Sequence, residues 1–183
     1  INPQTGLDIG AGSGTYAKLF PQINWDGVEI WEPYVERYGL KDLYRTILVS
    51  DIRDWTPETT TQRWDVAVAG DVLEHMTADE AKAVVANLRV FAKTVIVSLP
   101  LGHHPQDESE GNPYERHVED NWTHERVLDV FGQPDHYEID EYMGIYVWTP
   151  YNVAPIPNTI HMVWFTGENS RPFSFVNYLA VRA

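Results

Sequence analysis

Short apolar runs alternate with stretches of helical spacing along most of this chain. Thr5-Gly6-Leu7-Asp8-Ile9 reads as a strand entering a glycine-rich turn, and residues 14–20 as a helix stopped by Pro21. Gly27-Val28-Glu29-Ile30 reads as a second strand. Pro33 then opens a second helix, at a first-turn position where its missing N–H does no harm. Arg45-Thr46-Ile47-Leu48-Val49-Ser50 and Asp65-Val66-Ala67-Val68-Ala69 follow as strands, the latter short and apolar as buried parallel strands are. The best-marked helix begins at Thr77-Ala78-Asp79-Glu80, which has the spacing of a capping box, and continues with Ala81, Val84, Val85 and Leu88 on one face. Residues 94–99 are a fifth strand, and residues 100–121 a polar loop. Thr123 caps a helix that carries Val127, Leu128 and Phe131 and stops at Gly132. Residues 136–142 and 145–149 close the pattern as two strands joined at Met143-Gly144, a connection short enough to require antiparallel pairing.

This alternation predicts an α/β fold, with a doubly wound, mostly parallel seven-stranded sheet whose last strand is antiparallel. Ligands in such sheets sit at the carboxyl ends of the strands. The pattern fills residues 1–150, which we take as one domain. Residues 151–183 differ in character and open on the linker-like Ala154-Pro155-Ile156-Pro157.

Composition narrows the chemistry. The formal net charge is −14, and no cluster of Lys and Arg interrupts it, so nucleic acid is not an expected substrate. A cationic ligand is compatible with that field. There is no cysteine, which removes disulfides, thiol catalysis and Cys-based zinc sites. No apolar run reaches membrane-spanning length and no signal peptide opens the chain, so a cytoplasmic protein without membrane contact is expected. The first residue is Ile1, which marks a trimmed or partial chain.

The candidate chemistry lies at strand ends. Asp8-Ile9-Gly10-Ala11-Gly12-Ser13-Gly14 joins the first strand to the first helix, and glycines there let the backbone approach a ligand. The nicotinamide fingerprint would require glycine at position 15, where Thr15 stands. Glu29 ends the second strand, where a carboxylate can accept from both hydroxyls of a ribose. Asp51 ends the third strand and Asp71 follows the fourth. Each alone is explicable as a turn or solvated residue; four carboxylates at four consecutive strand ends are harder to explain by packing.

Leu7-Asp8-Ile9-Gly10-Ala11-Gly12-Ser13-Gly14, Gly27-Val28-Glu29-Ile30, Ser50-Asp51-Ile52 and Gly70-Asp71-Val72-Leu73-Glu74-His75 together resemble the ordered motifs of class I S-adenosylmethionine-dependent methyltransferases. The resemblance implies a Rossmann-like fold with S-adenosyl-L-methionine as cofactor. It implies that Gly10, Ala11, Gly12 and Gly14 hold the methionine and ribose, with Asp8 at the start of the loop. It places the ribose on Glu29 and the adenine on Asp51 and Ile52. Beside these, Ile30 follows Glu29 as a further cofactor-binding candidate, and Trp31, two residues past Glu29, is placed to flank the adenine. Asp71 and Val72 would line the methionine side. The expected reaction is O- or N-methylation of a small-molecule or sugar acceptor. Two other readings remain: a nicotinamide-dependent oxidoreductase, and a non-catalytic cofactor-binding module fused to a glycosyltransferase.

A base is needed where the acceptor must lose a proton, and histidine suits that task. The 100–121 loop holds His103, His104, Glu115 and His117, and Asn112-Pro113-Tyr114-Glu115-Arg116-His117 resembles a stretch of some bacterial and phage small-molecule methyltransferases. His117 and His103 are the catalytic candidates. No metal site is expected. Beyond the linker, Asn158-Thr159-Ile160-His161-Met162-Val163-Trp164-Phe165-Thr166-Gly167 resembles the opening strand of sugar-nucleotide glycosyltransferases, without their Asp-x-Asp motif. A methyltransferase fused to a glycosyltransferase is the corresponding expectation. The acceptor and the oligomeric state are not written in these motifs.

Overall fold

A computed structural model describes residues 2–56 and 59–149. The expected linker and second domain in residues 151–183 lie outside the described residues. In chain order the elements are β1 (Thr5–Ile9), α1 (Thr15–Leu19), β2 (Asn24–Glu29), α2 (Glu32–Arg37), α3 (Leu40–Leu43), β3 (Thr46–Val49), β4 (Trp64–Gly70), α4 (Ala78–Phe91), β5 (Ala92–Pro100), β6 (Gly102–His103), β7 (Asn121–Trp122), α5 (His124–Phe131), β8 (His136–Ile139) and β9 (Met143–Trp148).

Seven strands form one sheet in the order β3-β2-β1-β4-β5-β9-β8. β1 to β5 pair in parallel, and β9 runs antiparallel to both β5 and β8. The expected Rossmann-like doubly wound sheet is therefore present. Its period-two alternation divides the core. In β4, Ala67 and Ala69 face one side with Leu88, Phe91, Val127 and Phe131 of α4 and α5. Val66 and Val68 face the other, with Ala17 of α1, Phe20 just after it, Val35 of α2 and Leu40 of α3. Burial on both faces is why β4 and β5 read as nearly continuous apolar runs. α4 starts where its sequence indicated: Thr77 accepts from the Glu80 amide, and Glu80 accepts in return from the Thr77 amide.

Three local expectations change. The turn between the closing strands lies at residues 140–142, and Met143 and Gly144 belong to β9, opposite Pro100 and Leu99. The Asp140 carboxylate ends β8 early by accepting from the amides of Tyr142 and Met143, at 2.7 and 2.9 Å. The loop after β5 is not merely a loop. It returns on itself, pairing β6 with β7, and seats Trp122 in the core with 0 % exposure. α3 has only four residues, too few to show a helical period.

Candidate functional site

Strand order reverses on either side of β1, because β2 lies on one flank and β4 on the other. At the carboxyl ends of β1 to β4 lies a cleft with about 710 Å³ of non-protein space, part of it open to solvent. Gly10, Gly12, Glu29, Ile30, Asp51, Ile52, Asp71 and Val72 all line it. These residues span more than sixty positions of sequence, and the parallel sheet brings them together by aligning its strand ends.

The glycine loop is shaped for closeness. Gly10 has φ +66°, and a Cβ there would lie 2.6 Å from Val72 Cγ2. Gly12 has φ +50°, but a Cβ there would meet only the Gly10 carbonyl, at 3.6 Å. The space above Gly12 is thus cleft rather than protein. Gly14 packs against α3, with Leu43 2.6 Å from where its Cβ would be, and does not line the cleft. Ala11 is buried at 5 % exposure and is likewise behind the surface.

Glu29 holds the loop. Its Oε2 accepts from the Gly12 amide at 2.8 Å and its Oε1 from the Trp31 amide at 2.7 Å. Burial raises its pKa from the ordinary value, with the amides of Trp31 and Gly12 opposing that rise. Trp31 itself is half-buried before α2, its ring 6.1 Å from that of Tyr114, and does not line the cleft. Asp51 lines the cleft while accepting from the Arg53 amide at 2.9 Å and from its guanidinium at 2.6 Å. Burial pushes this carboxyl up, but the bonds from Arg53 outweigh burial and lower it overall. Arg53 also reaches Glu80 on α4, at 3.0 Å. Asp71 adopts φ +54°, a left-handed conformation uncommon outside glycine, and its amide donates to the Ser98 carbonyl at 3.1 Å.

Asp8 is placed differently from the other carboxylates. It is 1 % exposed, does not line the cleft, and accepts from the Tyr44 hydroxyl. Burial raises its pKa from 3.8 to about 7; the Tyr44 hydrogen bond lowers it and the nearby Glu29 raises it. A carboxyl with a raised native pKa binds its proton more tightly folded than unfolded. Its contribution is therefore fully present below about pH 4 and is lost as pH rises towards about 7. Asp8→Asn cannot ionise, so its stability relative to the parent chain is expected to rise steadily from pH 4 to pH 7.5. Thermal melts of both chains across that range check this; a constant difference would show that Asp8 does not titrate there.

The two histidine candidates separate. His103, on β6, is exposed, with its Nδ1 3.6 Å from Asp120 Oδ2, and is not brought to the cleft. The ring of His117 is buried behind the cleft, with Nδ1 directed at the His104 carbonyl. In front of it, Tyr34, His75, Met76, Asn112, Tyr114 and Glu115 complete the cleft wall. Glu115 is held from two sides, accepting at 3.3 Å from the Tyr34 hydroxyl and at 3.3 Å from the Asn112 amide group. Asn112 also accepts from the Tyr114 amide at 2.9 Å, which fixes the short turn Pro113–Glu115. Tyr34, Arg53 and Met76 had no motif to mark them; Pro113 after Asn112 and the resemblance carried by residues 112–117 are the sequence signals that this part of the loop is structured.

The chain matches no family model and no curated protein sequence. Solved structures do resemble it. An S-adenosylmethionine-dependent methyltransferase from Clostridium acetobutylicum aligns with TM-score 0.58 at 13% identity, over 78% of this chain and 82% of that one. The N-methyltransferase NodS from Bradyrhizobium japonicum, in complex with S-adenosyl-L-homocysteine, aligns with TM-score 0.59 at 15% identity, over 82% and 80%. Magnesium protoporphyrin IX methyltransferase from Synechocystis, with the same compound bound, aligns with TM-score 0.58 at 16% identity, over 80% and 74%. At these identities the likeness is one of fold.

Proposed function

We propose that this chain is an S-adenosylmethionine-dependent methyltransferase acting on a small-molecule or sugar acceptor, at oxygen or nitrogen. The observation that carries the reading is the delivery of Gly10 and Gly12, Glu29, Asp51 and Asp71 by four successive strand ends to one cleft. The structural neighbours with bound S-adenosyl-L-homocysteine support it, since they share the fold that builds such a cleft.

The cofactor supplies a methyl group already activated by the positive sulfonium. In this reading the chain's own residues bind, orient and exclude water. Gly12 leaves room for the backbone to approach, and Glu29 offers its remaining lone pairs to the ribose hydroxyls. Asp51 and Ile52 take the adenine end, and Asp71 and Val72 the methionine end. Clustered carboxylates suit a cationic ligand electrostatically. The acceptor would enter past Tyr114 and Glu115, and aligning two reactants in this way contributes up to about 7–11 kcal/mol. Glu115, which lines the cleft on the loop side, is the carboxylate this reading assigns to take an acceptor proton.

Calorimetric titration of the purified chain with S-adenosylhomocysteine, alongside NADH, tests the reading. Saturable binding of S-adenosylhomocysteine alone is the expected result. Binding of NADH instead would replace this reading with an oxidoreductase, and no binding by a folded chain would overturn it.

A further inference from the structure

Beside the cleft, the short helical turn Leu73–His75 and the returning loop after β5 bring together three groups that no step of methyl transfer has used. One ligating atom each of Glu74, His75 and His117 lies within 4.8 Å of the others. Glu74 is 0 % exposed and the His117 side chain 1 % exposed. The three are held by backbone bonds from both segments. The amides of Val118 and Glu119 donate to the Glu74 carbonyl at 2.8 and 3.0 Å, and the His117 amide donates to the Gln106 carbonyl at 2.9 Å.

The histidine tautomers follow from their partners. Nδ1 of His75 lies 3.2 Å from the Arg116 carbonyl, and Nδ1 of His117 is bonded to the His104 carbonyl. A carbonyl has no proton to give, so each Nδ1 is the donor. In the neutral imidazole this leaves the lone pair on Nε2. A backbone carbonyl that fixes one ring nitrogen and so orients the other is the usual support of a metal-bound histidine. His117 Nε2 is 4.0 Å from Glu74 Oε1, too far for a direct hydrogen bond. Two atoms about 2.0–2.2 Å from one tetrahedral ion are about 3.4 Å apart, so this pair would draw together by roughly half an ångström on binding one.

We propose that Glu74, His75 and His117 form a binding site for a divalent transition metal ion, of the class that takes imidazole together with carboxylate. Zn²⁺ and Co²⁺ fit that donor set, whereas Mg²⁺, which favours oxygen ligands, does not. Three protein ligands leave coordination positions open. His75 also lines the cleft, which puts the site beside the space proposed for the acceptor, where the ion would supply Lewis-acid binding of an acceptor oxygen. Binding of the ion does not itself rest on the methyl-transfer reading.

The test is titration of the chelator-treated full chain with Co²⁺, followed by its visible absorption, and with Zn²⁺ followed by calorimetry. One tight equivalent is expected, weakened about tenfold or more in both His75→Ala and His117→Ala. His103→Ala, which alters an exposed histidine outside the cluster, is expected to bind as the parent does. Circular dichroism verifies folding of each variant; because His75 is only partly buried, His75→Ala decides the matter if His117→Ala does not fold. No stoichiometric Co²⁺ spectrum from the folded chain, or binding undiminished in His75→Ala, would overturn the proposal. S-adenosylhomocysteine titration of the same samples keeps its failure distinct from failure of the cofactor reading.

Discussion

Glu29→Ala is expected to weaken S-adenosylhomocysteine binding by about a hundredfold or more, equivalent to about 2.7 kcal/mol. The substitution acts twice. It removes the carboxylate proposed to hold the ribose, and it leaves the Gly12 and Trp31 amides without the acceptor each now has at 2.8 and 2.7 Å. Each unsatisfied group of that kind costs about 1–3 kcal/mol where it is shielded from water. The loop that carries Gly10 and Gly12 would then lose its tie to β2. Glu29→Gln keeps one acceptor oxygen but turns an N–H₂ towards an amide donor, so an intermediate loss is expected. Calorimetry measures both variants, and thermal melts establish that they are folded. Parent-like affinity in Glu29→Ala would remove Glu29 from the ribose site.

The second large effect concerns the segment between β5 and α5. Trp122→Ala is expected to destabilise the fold by about 3–5 kcal/mol. The Trp122 ring is 0 % exposed and stacks on Phe131 of α5, with centroids 5.3 Å apart at 26°. The Arg126 guanidinium lies over it at 4.9 Å from the centroid. The same residue pairs with Gly102 across the β6–β7 ribbon, so its loss loosens both the helix and the loop that carries Asn112, Glu115 and His117. Val118→Ala, at a position 53% exposed in the same loop, is expected to change stability by no more than about 0.5 kcal/mol. Chemical denaturation gives both numbers. A Trp122→Ala loss near that of Val118→Ala would mean that the loop is not built into the core.

The asymmetry between these two predictions reflects how the site is assembled. Glu29 was legible because its place depends on a local pattern: an apolar run, a carboxylate at its end and a proline-marked helix after it. The same is true of Gly10, Gly12, Asp51 and Asp71. Trp122 was not, since nothing near it in sequence separates a core tryptophan from a loop one. Its burial is decided by Phe131, nine positions on, and by a ribbon whose other strand lies about twenty positions back.

The sequence by itself determined the sheet, the first two helices, the capped helix α4 and the strand ends on which the cleft is built. Those features are set by side-chain period and by turn and cap chemistry between near neighbours, and both act within a few residues. Only the tertiary structure decided which members of each motif reach the cleft. It set Asp8 and Gly14 behind the surface, left His103 exposed and drew His117 inward beside Glu74 and His75. These outcomes depend on contacts between segments as many as 43 positions apart in number, such as residues 74 and 117, and on how a polar loop folds back over the sheet. No local pattern encodes such contacts, because a loop's side chains are oriented by whatever the core brings beneath them.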